Sequence, residues 1–345
     1  MSGDVLAARD IKITNRPVRV EDVARVAGVS PITVSRALSY PEKVKEETRK
    51  KVADAVEKTG YVVNSFASSL RSGRSPIVAV FSSNVRNPHF ANVLLGCTEV
   101  LENKGYQLLT ARVGESAEEQ RRVIASMTPF RPAAMLFTDL LKPELDRSII
   151  SAQDIPVVEM WDQRNDPVDM LVTMSEEEAG RIMGRHFAER GFSRIAYAGQ
   201  LFERGRRRSE GFRAALREAG RDCDLILSVP QGWEPDASAA ALDEVLTRLP
   251  GCDAILFGSD MLAAGALSAA RRRNIKVPGD IAMAGFGDIS LAAHFDPPLT
   301  TLGLSSLEMG RRAGEMLLRR LGGQQVDERI VSYPAVLRVR ESTAQ

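Results

Sequence analysis

The 345-residue sequence predicts an α/β protein with a small all-α head and a larger core of two doubly wound, parallel-sheet subdomains. Three observations carry this prediction. From Val20 to Gly60 apolar residues recur at helical spacing with no strand signal. From Pro76 onward, short apolar runs alternate with helical stretches in two successive series. Between them lies Tyr61 to Ser75, YVVNSFASSLRSGRS, whose Ser72, Gly73 and Ser75 read as linker.

In the head, the first helix spans about Val20 to Ala27, with Glu21 and Asp22 in the first turn, where the helix dipole favours acids. Gly28 stops it. In the next stretch, GVSPITVSRAL, Ser30 is placed as N-cap and Pro31 at N1, where a missing N–H costs nothing and a fixed φ suits the turn. This second helix runs to about Ser39. It sets Pro31, Val34 and Leu38 along one stripe and leaves Ile32, Thr33, Ser35 and Arg36 facing outward. A third helix covers about Lys45 to Thr59, with Val52 and Val56 inward and Gly60 as its stop. Three short helices with a Gly-Val-Ser turn between the first two form a helix-turn-helix pattern. Asn64 then caps a short helix ending at Leu70. About seven residues cannot stay helical alone in water, where roughly 12 to 15 are needed, so this helix folds only when something holds it.

The core strands are expected at Ile77–Phe81, Gln107–Thr110, Ala133–Phe137 and Pro156–Met160, with helices such as Ala91–Asn103 and Ala117–Met127 between them. A second series places strands near Arg194–Ala198, Leu225–Val229, Ala254–Gly258 and Ile281–Gly285. Its helices lie near Glu176–Arg190, Gly205–Ala219, Ala237–Leu249 and Asp260–Arg273. Two such halves in tandem leave a cleft between the carboxyl ends of their strands, where doubly wound sheets bind ligands.

Charge is divided unevenly. Residues 1–75 hold 14 Lys and Arg against 9 Asp and Glu, a net of +5, and the other 270 hold 32 against 36, a net of −4. A basic head on an acidic body suggests that the head alone meets a polyanion. No apolar stretch has the length of a membrane span and the N-terminus lacks a secretory h-region, so a cytoplasmic location is expected. Cys97, Cys223 and Cys252 are widely spaced in apolar surroundings, which suits core positions in a reducing compartment. GxxxxGK[ST], HExxH and GxSxG are missing, and Gly285-Phe286-Gly287 lacks a third glycine. The three histidines, His89, His186 and His294, have no metal-ligand spacing and read as surface or satisfied-core residues. No enzyme, cofactor or metal is expected.

The segments VRVEDVARVAGVSPITVSRAL, VKEETRKKV and GYVVNSFASSL resemble the start of the lactose/galactose repressor (LacI/GalR) family of bacterial transcription regulators. RRRSEGF, FGSDMLAAGAL, VPGDIAMAGFGD and PPLTTL extend the resemblance over nearly the whole chain and imply a periplasmic-binding-protein-like core. IPVVEMWD and the body around it look most like the gluconate-utilisation repressors within that family.

The resemblance implies roles residue by residue. Arg36 matches the arginine that reads guanine in the major groove, and Pro31 and Ile32 occupy the variable base-reading positions. Ser30, Thr33 and Ser35 match phosphate contacts, which set register. Asn64 matches the hinge asparagine, Ala67 the small residue that lets two hinge helices approach, and Leu70 the leucine wedged into the minor groove. In the cleft, Arg208 matches the arginine that grips hydroxyls or carboxylates. Asp260 falls on the family's Asn-Asp pair, with Ser259 replacing the Asn. Asp288 stands beside the usual acidic position, which is Gly287 here. Asn87, Phe90, Trp161 and Asp162 lie after strand ends of the first half and face the cleft, Trp161 as a flat wall for a sugar face. Lys45 replaces a serine cap and Val63 the proline before the hinge asparagine.

The expected molecule is therefore a transcriptional repressor acting as a homodimer, with a tetramer as the larger assembly, on a pseudo-palindromic operator under control of a sugar or sugar-acid effector such as gluconate. Its expected domains are a flexible tail (1–17), the helix-turn-helix head (18–62), a hinge helix and linker (63–75), a first core subdomain (76–174 with a return near 303–325) and a second (175–302 with 326–342). The alternative is a sugar-binding module or sugar-acid enzyme on the same core. Against it stand the basic head and the missing phosphate loop and nucleotide glycines.

Overall fold

A computed structural model describes residues 18–62, 75–82, 86–114, 116–138, 141–142, 145, 147–161, 163–229 and 235–344. The chain divides into two units, Met1–Ser72 and Gly73–Gln345. The expected tail and hinge helix, with Asn64, Ala67 and Leu70, lie outside the described residues.

The head is built from α1 (Val20–Ala27), α2 (Pro31–Ser39) and α3 (Glu46–Thr59). Left-handed Gly28 and Gly60 end α1 and α3, at φ 67° and 65°. Val23, Ala24, Val34, Ala37, Val52 and Ala55 form one small core. Pro31, expected on the inward stripe, is exposed instead. As N1 it precedes the turn that packs, so Ala37 joins Val34 inside. Lys45 caps α3 without a side-chain hydrogen bond.

The core begins with β1 (Ile77–Ser82), α4 (Pro88–Leu101), β2 (Gln107–Arg112), α5 (Ala117–Met127), β3 (Ala134–Phe137), α6 (Ser148–Ser151), β4 (Val157–Trp161) and β5 (Met170–Thr173). It continues through α7 (Glu176–Glu189), β6 (Ile195–Gly199), α8 (Glu203–Glu218), β7 (Cys223–Ser228), α9 (Pro235–Arg248), β8 (Ala254–Phe257), α10 (Asp260–Arg272) and β9 (Ala282–Ala284). Last come β10 (Thr301–Gly303), α11 (Ser306–Leu321), β11 (Ile330–Ser332) and β12 (Val336–Arg338). Helix α4 starts three residues before its expected position because Asn87 accepts from the His89 amide and Pro88 takes N1.

The first sheet has the order β11-β5-β4-β3-β1-β2, and the second β7-β6-β8-β9; all their pairings are parallel. Strands β1, β3, β4, β5, β6, β8 and β9 are nearly continuous buried runs, as strands covered by helices on both faces require, whereas the edge strands β2, β7 and β11 are partly exposed. The chain passes between the sheets three times. It crosses after β5, returns at α11, and crosses again after β11, since β12 pairs antiparallel with β10. The stretch 326–342, expected entirely with the second subdomain, therefore splits: Ile330–Ser332 extends the first sheet beside Leu171–Thr173, and Val336–Arg338 pairs with Thr301–Gly303 in a separate two-stranded sheet. Three-residue strands carry too little pattern to be assigned from sequence.

Each half holds a pair of helices running side by side in the same direction at glycine-permitted distance. On α4 and α11, contacts advance together from His89–Ser306 through Val93–Gly310 to Cys97–Gly314. A Cβ on Gly310 would lie 2.2 Å from the Val93 carbonyl oxygen, and one on Gly180 of α7 2.0 Å from that of Arg208 on α8. Cys97, Cys223 and Cys252 are buried and unbridged, and burial pushes each thiol up to about 12. No helix among the described residues is long and apolar enough to cross a membrane.

The C-terminal turn is sewn into the second half by buried hydroxyls. The Thr343 hydroxyl meets His186 Nε2 at 2.9 Å and the Thr300 hydroxyl at 2.8 Å, and Ser342 donates to the Met283 carbonyl at 2.6 Å. Burial, with Arg190 nearby, depresses His186 to about 4.

Two outcomes are expected. Gly310→Ala and Gly180→Ala should each destabilise the core by at least about 2 kcal/mol in urea melts, as overpacking against backbone does. Gly279→Ala, whose Cβ would meet only the Lys276 side chain at 3.5 Å, should change stability by less than about 0.5 kcal/mol. For His186, the unfolded chain takes up the proton near pH 6.5 and the folded chain near 4. Its contribution is thus full above pH 6.5 and is lost on acidification toward 4. The melting temperature of His186→Gln should consequently fall less than that of the unaltered protein between those pH values.

Candidate functional site

The head presents one capped helix outward. The Ser30 hydroxyl accepts from the Thr33 amide at 3.1 Å and meets the Thr33 hydroxyl at 2.8 Å, which fixes the start of α2. With Val34 and Ala37 buried, the opposite face carries Ile32, 71% exposed, and Arg36, exposed and without an ion pair among the described residues, with Ser35 half-buried beside them. An apolar tip, two hydroxyls and an uncommitted guanidinium on one helix face suit contact with base edges and phosphates.

In the core, the expected cleft residues gather at the carboxyl ends of β1, β4, β6, β8 and β9. Trp161 ends β4 in the left-handed region, φ 80°, and is buried. Its ring meets Phe90 edge-on at 5.8 Å and His89 at 6.4 Å between centroids. Among the described residues its Nε1 has no hydrogen-bond partner. Asn87 spends its side-chain oxygen on capping α4. Asp162 lies outside the described residues.

From the second half, Arg208 on α8 is buried. It donates from Nε and Nη2 to Glu176 at 2.9 and 2.7 Å and from Nη1 to the Gly258 carbonyl at 2.6 Å, and it stacks 3.2 Å over the Phe286 ring. Ser259 caps α10 by accepting from the Leu262 amide. Asp260 turns inward: the Thr301 hydroxyl donates to one carboxylate oxygen at 2.5 Å and the Ile289 amide to the other at 2.8 Å. Burial raises its carboxyl to about 6 despite these bonds, and neighbouring Asp288 adds to the rise. Asp288, at φ 56°, is paired with Arg340 at 2.6 Å and Arg338 at 3.7 Å. Of the arginines around Arg208, Arg206 and Arg207 pair with Glu203, while Arg204 reaches across to lie 5.5 Å from the Phe90 ring.

The structure thus brings Phe90, Trp161 and Arg208 to a common buried region, and it commits Asn87, Ser259, Asp260 and Asp288 to bonds that shape its walls. It also adds His89, read from sequence as a surface or satisfied-core histidine. The imidazole is buried with Nε2 unpartnered, and burial, helped by Arg208 and opposed by Asp288, depresses it to about 4. A signal was present: Asn87-Pro88 after a buried strand starts a helix, which puts His89 and Phe90 in the first turn at a carboxyl edge.

Residues 19–64 match the bacterial regulatory proteins of the lacI family, and residues 185–343 match the periplasmic binding protein-like domain. The chain is 36% identical over 337 residues to the HTH-type transcriptional regulator GntR of Pseudomonas aeruginosa, covering 97% of this chain and 98% of that one. Among solved structures, a LacI-family transcriptional regulator from Silicibacter pomeroyi superposes with a TM-score of 0.88 at 31% identity, covering 95% of this chain and all of that one. The transcriptional regulator CelR in complex with cellobiose matches with a TM-score of 0.68 at 28% identity, again over 95% of this chain and all of that one. A capped, outward-facing helix on a three-helix head, carried by a chain with a two-sheet core and aligned end to end with such relatives, identifies this protein as a DNA-binding transcriptional regulator of the LacI family.

Proposed function

We propose that the protein is a cytoplasmic, homodimeric repressor whose affinity for a pseudo-palindromic operator is set by a sugar acid of the gluconate type held between the two core sheets. The observation that carries this reading is the pairing, in one chain, of an uncommitted Arg36 on the outer face of α2 with a buried arginine-aromatic region whose Trp161 Nε1 lacks a partner. A buried polar atom without a partner is costly, by about 1–3 kcal/mol, and a bound ligand removes that cost. The residues proposed to meet DNA are Ser30, Pro31, Ile32, Thr33, Ser35 and Arg36, with Asn64, Ala67 and Leu70 from the hinge. Phe90, Trp161 and Arg208 are proposed to touch the effector, with Asn87, Asp162, Ser259, Asp260 and Asp288 around them. The sugar class draws support from the likeness to a regulator solved with cellobiose, and the acid from the likeness to GntR-named regulators and from Arg208. Effector and operator favour different arrangements of the paired cores, so each changes the other's affinity by the same factor.

Two measurements test the reading. In anisotropy titrations against a duplex carrying the selected inverted repeat, Arg36→Ala should weaken binding by about 1–3 kcal/mol and relax the base preference at one position of each half-site. No palindrome-specific binding by the unaltered protein would refute the operator assignment. In a thermal-shift screen, D-gluconate should raise the melting temperature where D-glucose does not. Because Arg208→Ala strands the Glu176 carboxylate, it should itself cost about 3–5 kcal/mol of core stability; Arg208→Gln combined with Glu176→Gln avoids that cost and should abolish the shift.

A further inference from the structure

Gly287 and His89 fit together across the two halves of the core. The glycine stands at φ 133° after β9, and a Cβ built on it would lie 2.1 Å from His89 Nε2. The imidazole thus fills the space that any side chain at 287 would need. It is held from behind by a short relay: Asn92 donates its side-chain N–H to the Ser306 hydroxyl, and that hydroxyl meets His89 Nδ1, each over 3.4 Å. In the tautomer in which Ser306 donates to Nδ1, the neutral ring carries its proton on Nε2, which has no partner among the described residues. Trp161 Nε1, the second unpartnered atom, can only donate. A third, the Ser82 hydroxyl at the end of β1, can do either. The described carboxylates around them are already taken: Asp260 by Thr301 and Ile289, Asp288 by Arg340 and Arg338, and Glu176 by Arg208. The first turns of α4 and α11, which carry His89 and Ser306, lie side by side and point the positive ends of both helices the same way.

We propose that His89, seated over Gly287, is the residue that selects a carboxylate-bearing ligand, donating from Nε2 to the carboxylate of a sugar acid. Of the uncommitted groups, Trp161 Nε1 can only donate, His89 Nε2 donates in that tautomer and the Ser82 hydroxyl can do either, a set that satisfies an acceptor-only carboxylate and leaves the donating hydroxyls of a neutral sugar with few acceptors. Glycine at 287 is what admits the imidazole. This assignment rests on the sugar-acid reading above and sharpens it to one residue pair.

Calorimetry on the full chain at pH 7.5 tests it with D-gluconate, D-glucose and D-glucose 6-phosphate as probes. The unaltered protein should bind gluconate and neither of the others. His89→Phe, which keeps a ring but no donor, should lose about 10- to 100-fold in gluconate affinity, whereas His89→Gln, whose amide reaches the same place, should stay within about threefold. Gly287→Ala should lose at least about tenfold in the presence of His89 and nothing further when combined with His89→Ala. Circular dichroism melts on each variant separate lost binding from lost folding. If gluconate binds the unaltered protein but His89→Phe stays within about twofold, or if the losses at 89 and 287 simply add, the His89 assignment is overturned while the sugar-acid reading stands. Binding of glucose alone, or of glucose 6-phosphate without gluconate, overturns both.

Discussion

The guanidinium of Arg208 is the point on which the second half of the core depends. A charge buried this deeply persists only when paired and fully hydrogen-bonded, and here Glu176, the Gly258 carbonyl and the Phe286 ring do that jointly. Those partners come from α7, from the loop after β8 and from the loop after β9. One side chain therefore sets the spacing of three elements that form the second wall of the cleft. The close glycine contact of Gly180 with the Arg208 carbonyl fixes the same residue by its backbone. Removing the guanidinium would not simply open a pocket; it would release the wall.

The other wall follows a different logic. Trp161 and His89 each keep a ring nitrogen inside the protein without a partner, which a stability optimum would not retain. Both stand at a strand end or in a first helical turn, at the carboxyl edge of the parallel sheet, and both are buried. On one wall the charged groups are paired, and the facing wall holds two ring nitrogens without partners among the described residues.

The head obeys simpler rules. Six small buried side chains hold three helices, and a serine cap with a proline behind it points α2 outward. Its exposed Ile32 and Arg36 cost the isolated head little and specify a partner with an apolar edge and fixed acceptors.

Local sequence determined a good deal by itself: the three head helices with their glycine stops, the Ser30 cap, the buried strands and the order of the two strand-helix series. These are properties of neighbouring residues, read through periodicity, capping and turn chemistry. The resemblance added the gathering of Phe90, Trp161 and Arg208. Tertiary structure alone decided the rest. Ile330–Ser332 joins the first sheet because Leu171–Thr173 offers an open edge, a choice made far away along the chain. Asp260 is placed in the cleft by the resemblance, yet Thr301 and the Ile289 amide take up both of its carboxylate oxygens. His89 sits where it does because Ser306 stands behind it and Gly287 carries no side chain in front. Such outcomes depend on which atoms meet across the fold, and periodicity along the chain holds no record of that.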